Sequence, residues 1–362
     1  DTTPLVEMTS DQAGVISSPS GQTLTGDVAA EAAANDVTFA ALADNTYASV
    51  TLLVTDAAGN PSNTLTLTSF TIDNGDPSAF TVGAVASTGG TVVANYLNST
   101  NTGVSVSVPV ANDATLVNGT IQLRMKVGDN AYADIGSAAT ITTANVTQAV
   151  TLTDDQIEDA GSYAEDVALK FTAVITDAAG NATTGIEGKT LTVDQVAPTV
   201  TFVSSNKADG IYNSGILIPI LIATNEAITV DTTSGIPSIL LETGASDDAV
   251  NYTSGSLSDV LIFNYTVGTG DTSLDLDYAS TSALVLNSGT MTDAAGNALV
   301  LTLPTVGGAN SLGANKNLVI DTTAPTVTEQ VVVSTPSNVT TPQATIGSNE
   351  AGTITSSLTL TG

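Results

Sequence analysis

Thr55-Asp56-Ala57-Ala58-Gly59-Asn60 is a six-residue stretch that the chain repeats at 176–181 and again at 292–297. An alternating, β-type run precedes the first two copies, at 49–54 and 169–175, and another such run follows each of the three. Gly and Asn tolerate the positive φ of a tight turn, and an Asp side chain can accept hydrogen bonds from its own turn. The stretch therefore predicts a β-hairpin at three places in the chain.

A second signature follows each hairpin: a β-type run ends in Asp, and a short segment ending in Pro leads to a new run. Its copies are Asp73 to Pro77, Asp194 to Pro198 and Asp321 to Pro325. Because Pro cannot continue a β-ladder, each copy marks a domain boundary. The predicted domains are 1–76, which lacks its first strand, 77–197, 198–324, and 325–362, the start of a fourth domain that copies the first.

Helical periodicity is nearly absent from the 362 residues. The one candidate helix covers 153–160, with Thr153 as its N-cap. Tyr47 and Tyr163 stand ahead of the run that enters a hairpin, as the tyrosine corner of an immunoglobulin-like sandwich does. We therefore predict an all-β fold, in which tandem immunoglobulin-like β-sandwich domains are arranged as an extended rod.

The charge of the chain limits its partners. It has 36 acidic and 6 basic residues, for a net charge of -30, although charged residues make up only 12% of the chain. This acidity argues against nucleic acid and anionic membranes as partners, because both attract Lys and Arg. It favours Ca²⁺, which takes hard oxygen ligands, or alternatively serves solubility in salty water. No run of 18 apolar residues occurs, so no membrane insertion is expected.

Missing residue types limit the chemistry further. The chain has no Cys, His or Trp. Cys-ligated zinc and Ser-His-Asp catalysis are therefore excluded. Short repeated domains also offer no inserted loops that would build a catalytic cleft, so we expect no enzymatic activity.

The hairpin and the Asp-Thr-Thr-Ala-Pro linker at 321–325 together resemble the bacterial immunoglobulin-like (Big-type) tandem repeats of giant extracellular adhesins and surface proteins. The resemblance covers essentially the whole chain. It implies a secreted protein at the cell surface, and a stalk whose host or surface ligand is bound by a domain outside this segment. It also implies Ca²⁺ where one domain meets the next.

The same resemblance selects candidate calcium ligands. The hairpin Asp and the linker Asp of one domain are expected together at its C-terminal end, and an acid of the following domain would complete the shell. The candidate pairs are Asp56 with Asp73, Asp177 with Asp194, and Asp293 with Asp321. The alternative is that each hairpin Asp only caps its own turn and the linkers bend freely.

Other acidic residues cluster without a metal-binding spacing. Asp271, Asp275 and Asp277 alternate along a predicted strand, Asp247 and Asp248 share a predicted loop, and 154–159 holds four acids. We interpret these groups as solvated acidic faces.

Three functions remain open from the sequence. The leading hypothesis is a structural stalk or spacer segment of a secreted bacterial adhesin or surface filament, stiffened by calcium at the domain junctions. The alternatives are a binding module for glycan, protein or ice, for which Thr64–Thr68 offers a Thr-rich strand face, and a self-assembling sheath or surface-layer subunit.

The two ends of the chain repeat each other. Residues 339–354 match 1–16 at an offset of 338 residues, and 326–338 include a first strand that the first domain lacks. This match predicts that the chain begins inside one domain and ends inside a second copy of it. Neighbouring repeats or protomers are the partners expected at the chain ends, and a tandem array with a repeat near 338 residues is the favoured arrangement.

Overall fold

The computed structural model describes residues 3–26, 28–333 and 335–357. Residues 1–2 of the repeat match and 358–362 of the predicted fourth domain lie outside the described residues. The chain divides into two compact units, 1–195 and 196–362. No helix in the part of the chain that the structure describes is long and apolar enough to cross a membrane.

The first unit opens with short strands and a small apolar core. Its core includes Phe39 and Leu52, both fully buried. The strands are β1 Leu5–Thr9, β2 Gly14–Ser17, β3 Leu24–Thr25, β4 Ala29–Ala30, β5 Ala34–Phe39, β6 Asn45–Tyr47, β7 Thr51–Thr55, β8 Leu65–Thr66 and β9 Phe70–Ile72. They form three sheets, with the strand orders β1-β5-β3, β4-β2-β7-β8 and β6-β9.

The rest of the first unit is a longer-stranded sandwich. The strands are β10 Val85–Thr88, β11 Tyr96–Leu97, β12 Gly103–Val110, β13 Thr120–Val127, β14 Ala133–Asp134, β15 Ala139–Thr140, β16 Val146–Thr153, β17 Ala168–Thr176, β18 Ala182–Thr184 and β19 Leu191–Val193. One sheet has the strand order β10-β12-β16. The other has the order β11-β19-β17-β13-β14, and in it β15 also pairs with β13 and β18 with β17. Alternate residues of β12 and β13 are buried, as expected for strands with one face on a core. Val106 and Phe171, one from each sheet, share this core.

The second unit has its own core, which includes Ile222 and Phe263. Its main sheet has the order β20-β22-β25-β24-β23-β27, with β28 on β22, and a smaller sheet has the order β21-β29-β26. The strands are β20 Val200–Ser205, β21 Gly210–Tyr212, β22 Leu217–Asp231, β23 Ser238–Leu241, β24 Asp248–Ser254, β25 Ser258–Thr266, β26 Thr272–Ser273, β27 Leu284–Val285, β28 Thr290–Thr292, β29 Leu318–Asp321, β30 Val327–Val331 and β31 Thr345–Ser348. Among the described residues, the last two pair only with each other.

Most neighbouring strands run antiparallel, but two pairs near the ends of their sandwiches run parallel. In the first unit β11 pairs with β19, with Tyr96 beside Thr192. In the second unit β21 pairs with β29, with Gly210 beside Leu318. Each pair joins an early strand to the last strand of the same sandwich.

Helices are few and short, so the predicted all-β class is confirmed. The helices are α1 Asp154–Glu158 and α2 Leu312–Asn315, with a 3₁₀ turn at Ala114–Leu116. The predicted N-cap is confirmed: Thr153 accepts a hydrogen bond from the Gln156 N–H, and the Gln156 side chain reaches back to the Thr153 N–H. Such a capping box explains why a helix of one turn forms between two strands.

One of the two predicted tyrosine corners is confirmed. The Tyr47 hydroxyl donates to the Ala43 carbonyl at 3.0 Å. The prediction for Tyr163 is wrong, because its buried hydroxyl has no hydrogen-bond partner among the described residues. Tyr212 makes the corner contact instead in the second unit, to the Ala208 carbonyl at 2.5 Å.

The described residues form three separate apolar cores, whose buried members fall within 8–54, 82–193 and 203–320. The first two cores lie within one compact unit. The domain boundaries that the sequence predicts at 76/77, 197/198 and 324/325 stay predictions.

Candidate functional site

The three repeated hairpins share one hydrogen-bonded clamp, made by the first Asp and the last Asn of each turn. In each, one carboxylate oxygen of the Asp accepts the backbone N–H of the Asn at 2.8–2.9 Å. The other carboxylate oxygen accepts the Asn side-chain amide at 2.9 Å. The Gly before the Asn has a φ between 87° and 104°, which an L-residue rarely adopts. The turn residues are therefore fixed by local chemistry.

The hairpins differ in exposure. Asp177 and Asp293 are buried, with 4% and 3% of their surface exposed. Asp56 remains partly exposed, and the hydrogen bond from the Asn60 side chain, followed by the Asn60 backbone, holds its pKa below the usual range. The predicted capping of the turn by its own Asp is confirmed at all three sites.

The predicted ligand pair Asp177 and Asp194 is wrong as a pair, because its members lie at opposite ends of β17. Asp177 follows the last residue of this strand, Thr176. Asp194 follows β19, in which Thr192 pairs with Ala168, the first residue of β17. A strand of nine residues spans about 30 Å. One calcium ion cannot bind both carboxylates.

The same separation applies to Asp56 and Asp73. Asp56 follows the last residue of β7. Asp73 follows Ile72, which pairs with Asn45, ahead of β7 in the chain. There the Asp73 carboxylate accepts the Gly75 N–H at 3.1 Å. It takes part in a linker turn and lies at the far end of the strand from the hairpin.

The third predicted pair, Asp293 and Asp321, is separated by the length of β22. Asp293 adjoins the C-terminal part of β22, since Thr292 pairs with Thr229. Asp321 ends β29, whose Ile320 pairs with Tyr212, which precedes β22. The Asp321 carboxylate accepts the Thr323 N–H at 3.0 Å.

The hairpins in fact lie at the N-terminal ends of their sandwiches. In the first unit the Thr183 hydroxyl, two residues after the hairpin, donates to the Pro77 carbonyl at 2.6 Å. In the second unit the Val300 N–H, three residues after the hairpin, donates to the Pro198 carbonyl at 2.9 Å. The strand that leaves the hairpin runs away from it, so the linker that follows this strand begins at the opposite end.

This placement brings the second hairpin against the linker at 73–77. The Asn181 side-chain amide donates one hydrogen bond to the Asp177 carboxylate at 2.9 Å and one to the Asp73 carbonyl at 3.0 Å. Both amide protons are thus used, one inside the turn and one on the preceding linker. An amide group therefore joins the hairpin to this linker, and the calcium ion predicted at the same junction stays a prediction.

A pair of carboxylates meets the third hairpin within the second unit. Oxygens of Glu226 and Asp293 lie within 4.8 Å of each other. Glu226 lies in a bulge of β22, because the pairing with β25 is interrupted between Ala223 and Ile228. The Thr224 hydroxyl fixes this bulge, donating to the Glu226 carbonyl at 2.6 Å. A bulge redirects side chains, which explains why an acid on a long strand faces the hairpin.

Glu226 and Asp293 fit a hard divalent cation. Two negative charges within 4.8 Å of each other repel by at least about 1 kcal/mol, even at the dielectric constant of water. The Asp293 carboxylate oxygens accept the backbone and side-chain N–H groups of Asn297, and a carboxylate oxygen can accept a hydrogen bond and bind a metal at the same time. Ca²⁺ takes such oxygens together with carbonyls and water. This pair could therefore hold a cation.

The first sandwich has the same layout with a neutral residue. Asp11, Gln12, Asp56 and Asn60 line one cavity of about 420 Å³ at its hairpin end. Residues 10–14 match 348–352, so Gln12 corresponds to Glu350. Asn-Glu-Ala occurs at both 349–351 and 225–227, so Glu350 in turn corresponds to Glu226. The position of Glu226 is therefore neutral in the first sandwich, where Asp11 and Asp56 are the acids that line the cavity.

Asp271 and Asp277, two of the three acids that alternate along the sequence of the second unit, do not belong to a solvated face. The Asp271 carboxylate accepts the Tyr265 hydroxyl and the Gly268 N–H, both at 2.6 Å. Asp277 is buried and accepts the N–H groups of Tyr278 and Gly307, both at 3.0 Å. The interpretation of these two acids as part of a solvated face is wrong, because each carboxylate accepts hydrogen bonds from nearby loop residues.

The other acidic groups are partly solvated. Asp275 is exposed, as the sequence indicates. The pKa of Asp248 is raised, first by burial and then by the neighbouring charge of Asp271. The pKa of Asp154 at the start of α1 is raised by burial and then by the charges of Glu158 and Asp155. Both rises result first from burial and then from the neighbouring negative charges.

Comparison with known proteins gives structural matches alone. No protein-family model and no curated protein matches the chain. Among solved structures, a chain from work titled "Structural insight into host cell surface retention of a 1.5-MDa bacterial ice-binding adhesin" is 18% identical, with a TM-score of 0.34, over 82% of this chain and 87% of that one. The chicken CNTN1 FN1–FN3 domains are 13% identical, with a TM-score of 0.25, over 79% and 85%.

A third match is the Bacteroides ovatus SGBP-B of a mixed-linkage glucan utilization locus, in complex with a heptasaccharide. It is 12% identical, with a TM-score of 0.17, over 91% of this chain and 66% of that one. At these identities and TM-scores, the matches say nothing about what this chain binds.

Proposed function

We propose that this chain is a structural spacer segment of a secreted bacterial adhesin or surface protein built from Big-type repeats. In this role it has no catalytic activity and holds other domains away from the cell. Its repeated hairpins serve as fasteners between successive sandwiches, and Ca²⁺ stiffens the junctions where a carboxylate pair is available.

The contact between Asn181 and the Asp73 carbonyl carries this proposal. A motif repeated three times in a chain performs a task that each repeat needs. In the described structure its second copy joins the turn to the preceding linker at 3.0 Å. A hydrogen bond across a linker restricts the hinge, and a spacer needs such restriction.

Calcium enters the proposal at the hairpin end of a sandwich. Glu226 and Asp293 supply two of the oxygens that Ca²⁺ requires. A cation bound only by the native state adds to stability by mass action, about 2.7 kcal/mol when it is present at a hundred times its Kd.

Calorimetry and X-ray scattering in Ca²⁺ and in EDTA test the proposal. We expect Ca²⁺ to raise the melting temperature of the second unit and to narrow the distribution of particle dimensions. A chain that is indifferent to EDTA in both measurements would contradict the calcium part. The spacer part fails separately, if scattering shows freely jointed sandwiches under both conditions.

A further inference from the structure

β24 and β25 are neighbours in the main sheet of the second unit, but they pair over only part of their length. The ladder between them includes Tyr252 with Phe263. Among the described residues, no ladder pair joins 248–251 to 264–266. The first of these segments pairs on its far side with β23, and the second with β22. Two strand edges therefore face each other inside one sheet, and the ladder between them is interrupted.

A single hydroxyl group lies where this ladder stops. The Thr253 hydroxyl accepts the Asn264 N–H at 3.2 Å and donates to the Asn251 carbonyl at 3.4 Å. If the pairing of Tyr252 with Phe263 continued, Asn251 and Asn264 would lie opposite each other and their backbone groups would bond directly. The hydroxyl takes up both groups instead, and the strands diverge beyond it.

A cavity of about 540 Å³ lies between the diverging strands, lined by 248–253 and 264–266; we call it the strand cleft. The Tyr252 N–H points away from the cleft, to the Pro237 carbonyl, whereas the Asn264 N–H points towards β24. Backbone groups alternate in direction along a strand, so those of Ala249 and Thr266 point into the cleft. Main-chain donors and acceptors therefore border it on both sides.

The tripeptide Asn-Tyr-Thr occurs on both sides of the strand cleft, at 251–253 and 264–266. Its Asn and Thr side chains are exposed. Tyr265 is buried, and Tyr252 meets Phe263 edge-on at 5.8 Å. Both aromatic rings of the lining thus turn towards the core and offer no flat surface on which a sugar could stack. Hydrogen bonding to a main chain is the interaction that this cleft provides.

Two acidic side chains meet at the end of the strand cleft farthest from Thr253. Asp248 begins β24, and its side chain is hydrogen-bonded to that of Asp271. Burial, followed by the charge of Asp271, raises the pKa of Asp248. A cationic group would relieve the repulsion between these carboxyl groups, whereas an anionic ligand would add to it. A second copy of this chain, with its net charge of -30, is therefore a poor occupant.

We propose that the strand cleft binds an extended segment of another protein as an added strand, with a Lys or Arg side chain beside Asp248 and Asp271. The segment 248–251 has four residues, about 13 Å of strand, so the added strand pairs over a similar length. Extended peptides bind open strand edges by main-chain bonds of this kind. This inference does not depend on calcium or on the spacer role.

Hydrogen exchange of the full chain with three synthetic peptides, in EDTA, tests the proposal. The first peptide is acetyl-Thr-Val-Thr-Val-Thr-Lys-amide, the second ends in Glu, and the third is the first with every second amide N-methylated. We expect the Lys peptide to slow exchange at 248–251 and 264–266 and to leave β12 unchanged. The other two should bind at least about tenfold more weakly, because one lacks the cation and the other lacks main-chain donors.

Equal binding of all three peptides would overturn both the main-chain pairing and the preference for a cation. A linear glucan hexasaccharide is the rival probe. Slower exchange at 248–251 and 264–266 with this sugar, but not with the Lys peptide, would overturn the choice of occupant.

Asp248→Asn provides the matched variant, because it removes one charge together with the repulsion from Asp271. We expect the affinity for the Lys peptide to fall about tenfold, as for loss of one charge-assisted hydrogen bond. Asp259→Asn removes an exposed acid near the opposite end of β25 and should leave the affinity unchanged. Parental affinity in Asp248→Asn would refute the role of the acidic pair. Unchanged exchange at 248–251 and 264–266 with saturating Lys peptide would refute the cleft as a binding site.

Discussion

The side-chain amide of Asn181 donates a hydrogen bond to the backbone carbonyl of Asp73, 3.0 Å away and 108 residues earlier in the chain. The same amide donates to Asp177 in its own turn. One side chain thus joins the shape of a hairpin to the position of the preceding linker.

Replacing this amide should loosen the 73–77 linker. We expect Asn181→Ala to cost about 1 kcal/mol more than Asn60→Ala, the value of one further hydrogen bond. Asn60 makes the same two contacts with its own Asp, and so serves as the matched control. Spin labels on cysteines introduced at Asp36 and Thr147 measure the change as a broader distance distribution. Equal broadening in the two variants would contradict the fastening role.

Removing one carboxylate of the cation pair should abolish the calcium effect. In Glu226→Gln we expect Ca²⁺ no longer to raise the melting temperature of the second unit, because only one acid of the pair remains. Asp259→Asn removes an exposed charge from the same unit and is the control. Calorimetry in Ca²⁺ and EDTA provides the measurement, and Asp194→Asn tests the sequence-based prediction for the linker carboxylate in the same way. A Glu226→Gln chain that still responds like the parent would refute the site.

Asp248 should make stability depend on pH. Its folded pKa is raised above the unfolded value of about 3.9. Ionisation of this group therefore destabilises the fold, with no effect below the unfolded pKa and the full effect once the pH exceeds the folded pKa. We expect Asp248→Asn to stabilise the chain at pH 7 by at most about 1 kcal/mol, since the site is largely solvated.

Urea unfolding at pH 3 and pH 7 checks this effect. Asp247→Asn is the control, because it also removes one negative charge but leaves Asp248 beside Asp271. A gain for Asp248→Asn that persists at pH 3, or that Asp247→Asn reproduces, would exclude the proposed repulsion.

Core lesions should stay local if the sandwiches fold as separate domains. Phe263 is fully buried and meets Tyr252 edge-on at 5.8 Å. We expect Phe263→Ala to cost about 3–5 kcal/mol and to shift only the calorimetric transition of the second unit. Phe39→Ala, in the core of the first sandwich, should shift a different transition. A common shift of all transitions by either variant would show that the sandwiches unfold together.

Local chemistry made part of this structure predictable. The Asp-Ala-Ala-Gly-Asn turn forms through contacts between residues four apart, so spacing alone indicates it. The helix cap at Thr153 is equally local. The all-β class follows from the alternation of apolar and polar residues along the strands.

The errors concern residues that are distant in the chain. Placing Asp177 with Asp194 ignored the direction of the strand between them, which carries the linker to the other end of the sandwich. Glu226 was missed as a ligand because its orientation depends on a bulge in β22. The recurrence of Asn-Glu-Ala at 225–227 and 349–351 was its only signal in the sequence. Burial of Asp277 likewise depends on the Gly307 loop, 30 residues away.

The parallel pairing of an early strand with the last strand affects how the two larger sandwiches respond to pulling. A load applied through the chain ends draws β11 towards its N-terminus and β19 towards its C-terminus, so the two strands slide along each other. The hydrogen bonds between them then share the load and must break together, whereas those of a hairpin pulled open at one end break in succession. The pair β21 and β29 repeats this arrangement in the second unit. In these two sandwiches, resistance to sliding therefore resides in the few residue pairs that join the two parallel strands.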